Sequence, residues 1–274
     1  MSGFFWIASY PKSGNTWVRL ALWCVKNGGA AIDLSAPLTF APLATSRPFF
    51  DRILGVDSSD LSMAEAANLR PRAYELGAAE ASDPLFRKVH DARSDTPAGD
   101  PLFPPDITLG VVHIVRDPRD VAISWARHLG WSIDRTIAFM SVPETPASKA
   151  EQLTQNLTGW SRHVESWLDA PGRQPPLLIR YEELLADPAV TLQRIVRYVG
   201  WPDDPNVLQK ATEATRFETL RREETHHGFH EKPPAAPLFF RQGRAGAWRE
   251  VLTAAQARRI EADHGAVMTL LGYR

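Results

Sequence analysis

The stretch Tyr10-Pro11-Lys12-Ser13-Gly14-Asn15-Thr16-Trp17 stands between an apolar run at residues 4–10 and an amphipathic stretch at residues 16–26. The first reads as a buried strand and the second as the helix that follows it. A loop in that position presents unpaired backbone N–H groups and the positive end of a helix dipole, both suited to a phosphate or sulfate. Gly14 admits close backbone approach, Lys12 brings charge, and Ser13, Asn15 and Thr16 offer side-chain hydrogen bonds. The plain alternative is a helix cap behind a proline turn. In a Walker A loop the lysine follows the last glycine, whereas Lys12 precedes Gly14 by two residues, which disfavours an ATP-type loop.

Outward from this loop the chain alternates short apolar runs with helical periodicity. Strands are expected at residues 85–90, 109–115 and 177–181, and helices at 118–128, 149–169 and 189–199, with shorter ones near 204–214, 216–223 and 253–263. Pro118 suits a first helical position. The 149–169 helix rests on Leu153, Leu157, Trp160, Val164, Trp167 and Leu168 at spacings of three and four. This is the pattern of an α/β fold, a P-loop-like domain with a central parallel sheet flanked by helices. Residues 28–60, 94–106 and 224–247 resist assignment, and no composition shift marks a boundary, so residues 1–274 are read as one domain.

Thirty-one Lys and Arg oppose 32 Asp and Glu, a net charge of -1. No general positive field draws the chain to nucleic acid or to an anionic membrane, so an anion must be held locally. A single cysteine, Cys24, fits a reducing compartment and excludes a cysteine-rich zinc site. No apolar run reaches the length of a spanning helix and the start lacks the form of a secretory signal, so a cytoplasmic location is expected. The 22 prolines exceed the usual share. Pro11 and Pro118 punctuate the two expected phosphate-binding turns, while Pro37, Pro42, Pro48, Pro143, Pro146, Pro233, Pro234 and Pro237 crowd loops to which no element is assigned.

With its flanking strand, YPKSGNTW resembles the 5′-phosphosulfate loop of sulfotransferases that use 3′-phosphoadenosine 5′-phosphosulfate (PAPS). That family carries a second signature, an arginine at a strand end and a serine eight residues on, matched here by Arg116 and Ser124. The resemblance implies that the pair holds the 3′-phosphate, with Arg116 forking two oxygens. Taken alone, Arg116 reads as an ion-pair partner of Asp117 or Asp120. Arg180-Tyr181-Glu182-Glu183-Leu184 resembles the family's tyrosine-bearing segment near the nucleotide. Thr215-Arg216-Phe217-Glu218 resembles the stretch whose threonine and aromatic ring meet adenine, and Trp17 matches the tryptophan across that base. Residues 240–248, FRQGRAGAW, resemble the loop that closes over the 3′-phosphate, implying contacts from Arg241, Gln242 and Gly243. Gln242 stands where a lysine is usual and Ala247 where an acidic residue is common; Arg244 is a candidate to restore the charge.

Among eight histidines, His90 is singled out by Phe86-Arg87-Lys88-Val89-His90 at a strand end, which resembles the family's K-T-H segment with its general base. Ligands of open α/β sheets bind beyond the strands' carboxyl ends, where the loop after the first strand, His90 and Arg116 are expected. Asp91 either raises the basicity of His90 or points to solvent. His163 is read as a surface residue, and the group His226, His227 and His230 lacks a convincing metal-ligand pattern.

The expected reaction moves a sulfuryl group from PAPS to a hydroxyl, leaving PAP, without a metal. His90, Lys12 and Ser124 are the catalytic candidates, and the resemblance implies that Ser124 also restrains Lys12 until the acceptor arrives. A small-molecule kinase and a non-catalytic nucleotide-binding regulator are the alternatives. The opening WIASYPKSGNTWVR resembles soluble bacterial members that act on phenols or alcohols of natural products, implying a small or medium-sized hydroxylated acceptor. Phe40, Phe49, Phe50, Trp131, Phe139, Phe229 and Phe239 are candidate linings of its cleft or plain core residues.

Overall fold

A computed structural model describes residues 2–143, 146–149 by backbone alone, 151–233 and 236–274. Pro234 lies outside the described residues, as do Met1, Glu144, Thr145, Ala150 and Ala235. The chain forms two compact units, one of residues 1–10, 41–113 and 141–178, the other of residues 11–40, 114–140 and 179–274.

The larger sheet has four strands. β1 (Phe4–Ser9), β2 (Leu85–Val89), β3 (Thr108–Val115) and β6 (Leu177–Arg180) lie in the order β2-β1-β3-β6, with β1 and β2 parallel in register Phe4 to Leu85. All six residues of β1 are buried, as an apolar run in a central strand requires. Its Phe4 and Trp6 side chains meet Phe49, Phe50, Tyr74, Phe103 and Trp167 in one core. The helices behind that core are α2 (Arg47–Leu54) and α3 (Met63–Glu80). α3 starts at a capping box: Ser62 accepts from the Glu65 backbone while Glu65 accepts from that of Ser62.

The helix expected over residues 149–169 is two kinds of structure. β4 (Pro146–Lys149) pairs antiparallel with β5 (Gln152–Asn156), and only α6 (Trp160–Leu168) is helical. Burial alternates along β5, placing Leu153 inward beside Gln155 in the two-residue period of a strand. Thr158 then takes a positive φ of 56° and Gly159 caps α6. The apolar spacing that suggested one helix is a strand's inward face followed by a helix's. Two prolines read as loop residues are also placed in elements: Pro48 is the second residue of α2, and Pro146 opens β4.

In the second unit, α1 (Asn15–Lys26), α4 (Pro118–Leu129) and α5 (Ile133–Met140) are joined by α7 (Tyr181–Ala186), α8 (Pro188–Tyr198) and α9 (Pro205–Ala214). α10 (Phe217–His227), α11 (Trp248–Val251) and α12 (Ala254–Leu270) complete it. Asp117, Asp187 and Asp204 each cap a helix whose next residue is proline, so much of the proline surplus starts helices. Leu20, Leu34, Leu220, Phe229 and Phe240 form a core of this unit. No helix among the described residues is long and apolar enough to cross a membrane.

Candidate functional site

The residues after β1 form a loop whose conformation depends on glycine. Lys12 has φ 69° and Gly14 φ 106°, so the chain passes twice through the left-handed region before α1 begins at Asn15. A side chain at position 14 is excluded on a second count, because a Cβ there would lie 2.8 Å from Cδ2 of Tyr181. The hydroxyl of Ser13 is fully buried and has no hydrogen-bond partner among the described residues. A buried donor left in this state at a helix start fits an anion that is held there when bound. Asn15 and Thr16 are buried too. The Thr16 hydroxyl donates to Glu231 at 3.4 Å, and Glu231 also holds the buried Arg19 at 2.8 Å.

The ammonium of Lys12 stands 3.4 Å from Nδ1 of His128 and 4.3 Å from the ring centre of Phe239. Ser124 lies one turn earlier on α4, and its hydroxyl makes no hydrogen bond among the described residues. The partner of Lys12 on this helix is therefore His128, a residue that sequence reading did not single out.

Arg116 directly follows β3, donates to the Lys12 carbonyl at 3.1 Å and to the Arg244 carbonyl at 3.4 Å, and lies 4.1 Å from the ring centre of Tyr181. It thus ties the loop after β1 to the 240–248 segment. Neither aspartate nearby forms the ion pair that a reading of Arg116 alone suggests. Asp117 is taken by Arg119 at 2.7 Å, and Arg119 also pairs with Glu261. Asp120 accepts backbone hydrogen bonds from Gly246 at 2.6 Å and Trp248 at 2.9 Å. Burial raises the pKa of its carboxyl, while Arg116 and the two N–H groups pull it back.

Tyr181 opens α7 and meets the ring of Trp17 edge-on, 6.0 Å between centres. Trp17 and Thr215 line one apolar niche with Val18, Leu184 and Ile195. The Thr215 hydroxyl donates to the Ala211 carbonyl at 2.7 Å. Phe217 sits beneath the 240–248 segment: a Cβ on Gly243, at φ 55°, would lie 2.2 Å from its ring. Arg241 and Gln242 are exposed; the Arg241 carbonyl accepts from Arg221, and the Gln242 side-chain oxygen from Arg127, each at 3.4 Å. Arg244, the candidate replacement for the missing charge, is bound through both guanidinium nitrogens by Glu250.

His90 belongs to the first unit and follows β2 directly. Its Nδ1 donates to the Ser9 carbonyl at 2.8 Å, which in the neutral ring leaves Nε2 as the basic nitrogen. Asp91 does neither of the things expected of it. It is 1% exposed and gripped by both nitrogens of Arg70 at 2.9 and 3.0 Å, with the Asn156 backbone donating a third bond. His163 is not on the surface either: it is fully buried, with its ring 5.3 Å from Tyr10 and 6.5 Å from His113. Burial pushes both imidazoles down to a pKa of about 3.

The aromatic candidates divide. Phe49 and Phe50 are core residues of the first unit, and Phe40 packs near Trp201. Trp131 and Phe139 contact each other, and Phe229, Phe239 and Phe240 form a mutual cluster. Of the three neighbouring histidines, His226 bonds the Arg222 carbonyl and His227 approaches Glu223. Among the described residues no group of three ligands could hold a metal.

Residues 4–272 match the model of the sulfotransferase domain family. The chain belongs to the PAPS-dependent sulfotransferase family. It is 24% identical to sulfotransferase 1A1 of Canis lupus familiaris over 96% of this chain and 82% of that protein. It is also 24% identical to cytosolic sulfotransferase 17 of Arabidopsis thaliana, over 94% and 72%. The fold is similar to that of a retinol dehydratase crystallised with retinol and PAP, at a TM-score of 0.64 and 20% identity, covering 98% of this chain and 82% of that one. This sulfotransferase therefore has the parallel-sheet α/β architecture expected of its sequence, and its enzyme class is that of the family.

Proposed function

We propose that this sulfotransferase transfers the sulfuryl group of PAPS to a hydroxyl of a small or medium-sized acceptor, a phenol, an alcohol or a natural product. The observation that carries the reading is the buried, unpartnered Ser13 hydroxyl in a left-handed loop that Arg116 ties to the 240–248 segment. In this reading Lys12, Ser13, Gly14, Asn15 and Thr16 hold the 5′-phosphosulfate. Arg116, Ser124, Arg241, Gln242 and Gly243 hold the 3′-phosphate, and Trp17, Tyr181, Thr215 and Phe217 hold the base. The niche lined by Trp17 and Thr215 supports the last assignment.

The donor supplies an activated sulfur whose bond to the 5′-phosphate breaks as the acceptor oxygen bonds to it, with PAP leaving. His90 takes the acceptor's hydroxyl proton on Nε2, a role supported by the Ser9 carbonyl that keeps the other nitrogen protonated. Lys12 and the loop's backbone N–H groups neutralise charge gathering on the leaving phosphate. Ser124 acts on the 3′-phosphate, and His128 is placed to steady Lys12. The retinol crystallised with the structural neighbour supports an apolar alcohol as acceptor.

We read residues 1–274 as one such domain, supported by the span of the family match. A cytoplasmic, bacterial setting is supported by the single buried Cys24, the cytosolic plant relative and the likeness of residues 6–19 to bacterial members. Incubation with PAPS or ATP and a generic phenol, with and without magnesium, tests the function. Magnesium-independent sulfate ester is the expected product; magnesium-dependent ATP turnover, or no product from either donor across a panel of phenols, alcohols and glycosides, overturns the reading.

A further inference from the structure

In the segment proposed to hold the 3′-phosphate, Arg241 is exposed with no acidic partner among the described residues, but the positions after it add no second free charge. Gln242 is neutral, and the Arg244 side chain is committed to Glu250. Arg119, at the start of α4, is buried between Asp117 and Glu261 and so is also committed. A phosphate carrying close to two negative charges favours charge-assisted donors, the strongest class of hydrogen bond to it.

A further cation near this segment, in addition to Arg116 and Arg241, has no acidic partner among the described residues. Arg127 is exposed on α4, three residues after Ser124 and hence on the same helix face. Its Nη1 donates to the side-chain oxygen of Gln242 at 3.4 Å, a neutral acceptor at the long end of hydrogen-bonding distance. With Oε1 turned to Arg127, the Gln242 amide keeps its two N–H groups for another acceptor. A lysine at 242 would instead set two cations together. The glutamine thus suits a site where the neighbouring helix supplies the charge.

We propose that Arg127 is a ligand of the donor's 3′-phosphate, acting with Gln242, which steers the guanidinium and adds an amide donor of its own. The pair makes the sulfotransferase distinguish nucleotides that carry a 3′-phosphate from those that lack one. This inference rests on the reading of PAPS as donor, and the test separates the two.

Calorimetric titration of the full chain with PAP and with AMP, which lacks the 3′-phosphate, gives a preference ratio for each variant. The unaltered chain is expected to prefer PAP strongly. Arg127→Ala should weaken PAP binding by about 10–100-fold while AMP binding changes by less than about threefold, the scale of one charge-assisted contact. Arg244→Ala should leave the ratio within about threefold, since Glu250 already holds that side chain. Gln242→Lys added to Arg127→Ala should restore most of the lost preference, which also shows that the single variant is folded. If the unaltered chain binds PAP and AMP alike, the donor reading falls and the inference with it. If it prefers PAP and Arg127→Ala keeps that preference in full, the assignment of Arg127 alone is overturned.

Discussion

The ring of Tyr181 packs on the bare backbone of Gly14, so close that a Cβ on Gly14 would lie 2.8 Å from Cδ2. Gly14→Ala therefore incurs both this clash and the left-handed penalty of about 1–2 kcal/mol for a side chain at φ 106°. It should lower the melting temperature by several degrees and weaken PAP binding at least about tenfold. Tyr181→Ala in the same chain relieves the clash but not the backbone strain. Thermal unfolding of the single and double variants should then be non-additive, and strict additivity would show that the two residues are not in contact.

His90→Ala should reduce sulfuryl transfer by about 10²–10⁴-fold, the usual worth of a general base. PAP affinity should stay within about threefold, since the imidazole's hydrogen bond in the structure is to the Ser9 carbonyl. Steady-state kinetics with a phenol, paired with PAP titration, makes the comparison. Near-normal turnover in this variant removes His90 from the mechanism.

Acid should weaken the fold through two buried imidazoles. His113 and His163 are held at a pKa of about 3 by burial, and in the unfolded chain each returns to about 6.5. Below pH 6.5 the unfolded state binds the extra protons. Their contribution to stability is thus complete above that pH and is lost as pH falls towards 3, by up to about 1.4 kcal/mol per pH unit for each histidine. Urea unfolding at pH 7, 6 and 5 should show the slope, and His113→Leu should reduce it by about one proton. A slope unchanged in that variant would assign the acid sensitivity to other groups.

Asp120→Ala leaves the backbone N–H groups of Gly246 and Trp248 without their acceptor. Hydrogen exchange at residues 243–251 should speed up at least about tenfold, and PAP affinity should fall, because the segment proposed to close over the 3′-phosphate loses its tether. Asp120→Asn keeps one good acceptor oxygen and should lie between the two. Exchange rates unaltered in Asp120→Ala would mean that the segment is held elsewhere.

The two strand–turn–helix units proposed to bind phosphate were legible as structure because each is a local pattern: an apolar strand, a proline or glycine turn and an amphipathic helix, in both cases within about twenty residues. The same locality misled at residues 149–169, where Leu153 and Leu157 share helical spacing with α6 but belong to β5 and the turn after it. The partners that fix the site are distant in sequence and leave no local trace. Arg70 taking Asp91 and Asp120 taking Gly246 and Trp248 are pairings that only the folded chain reveals. His163 looked like a helix-surface residue because an imidazole is polar, yet it sits against Tyr10 and His113.

Glu231 receives both the Thr16 hydroxyl and the Arg19 guanidinium, and Thr16 and Glu231 are 215 residues apart. A ribosome delivers the loop after β1 early and its acidic counterpart late. During synthesis the emerging chain carries Arg19 without its carboxylate, so the pairing that anchors the start of α1 forms only when the polypeptide is nearly finished.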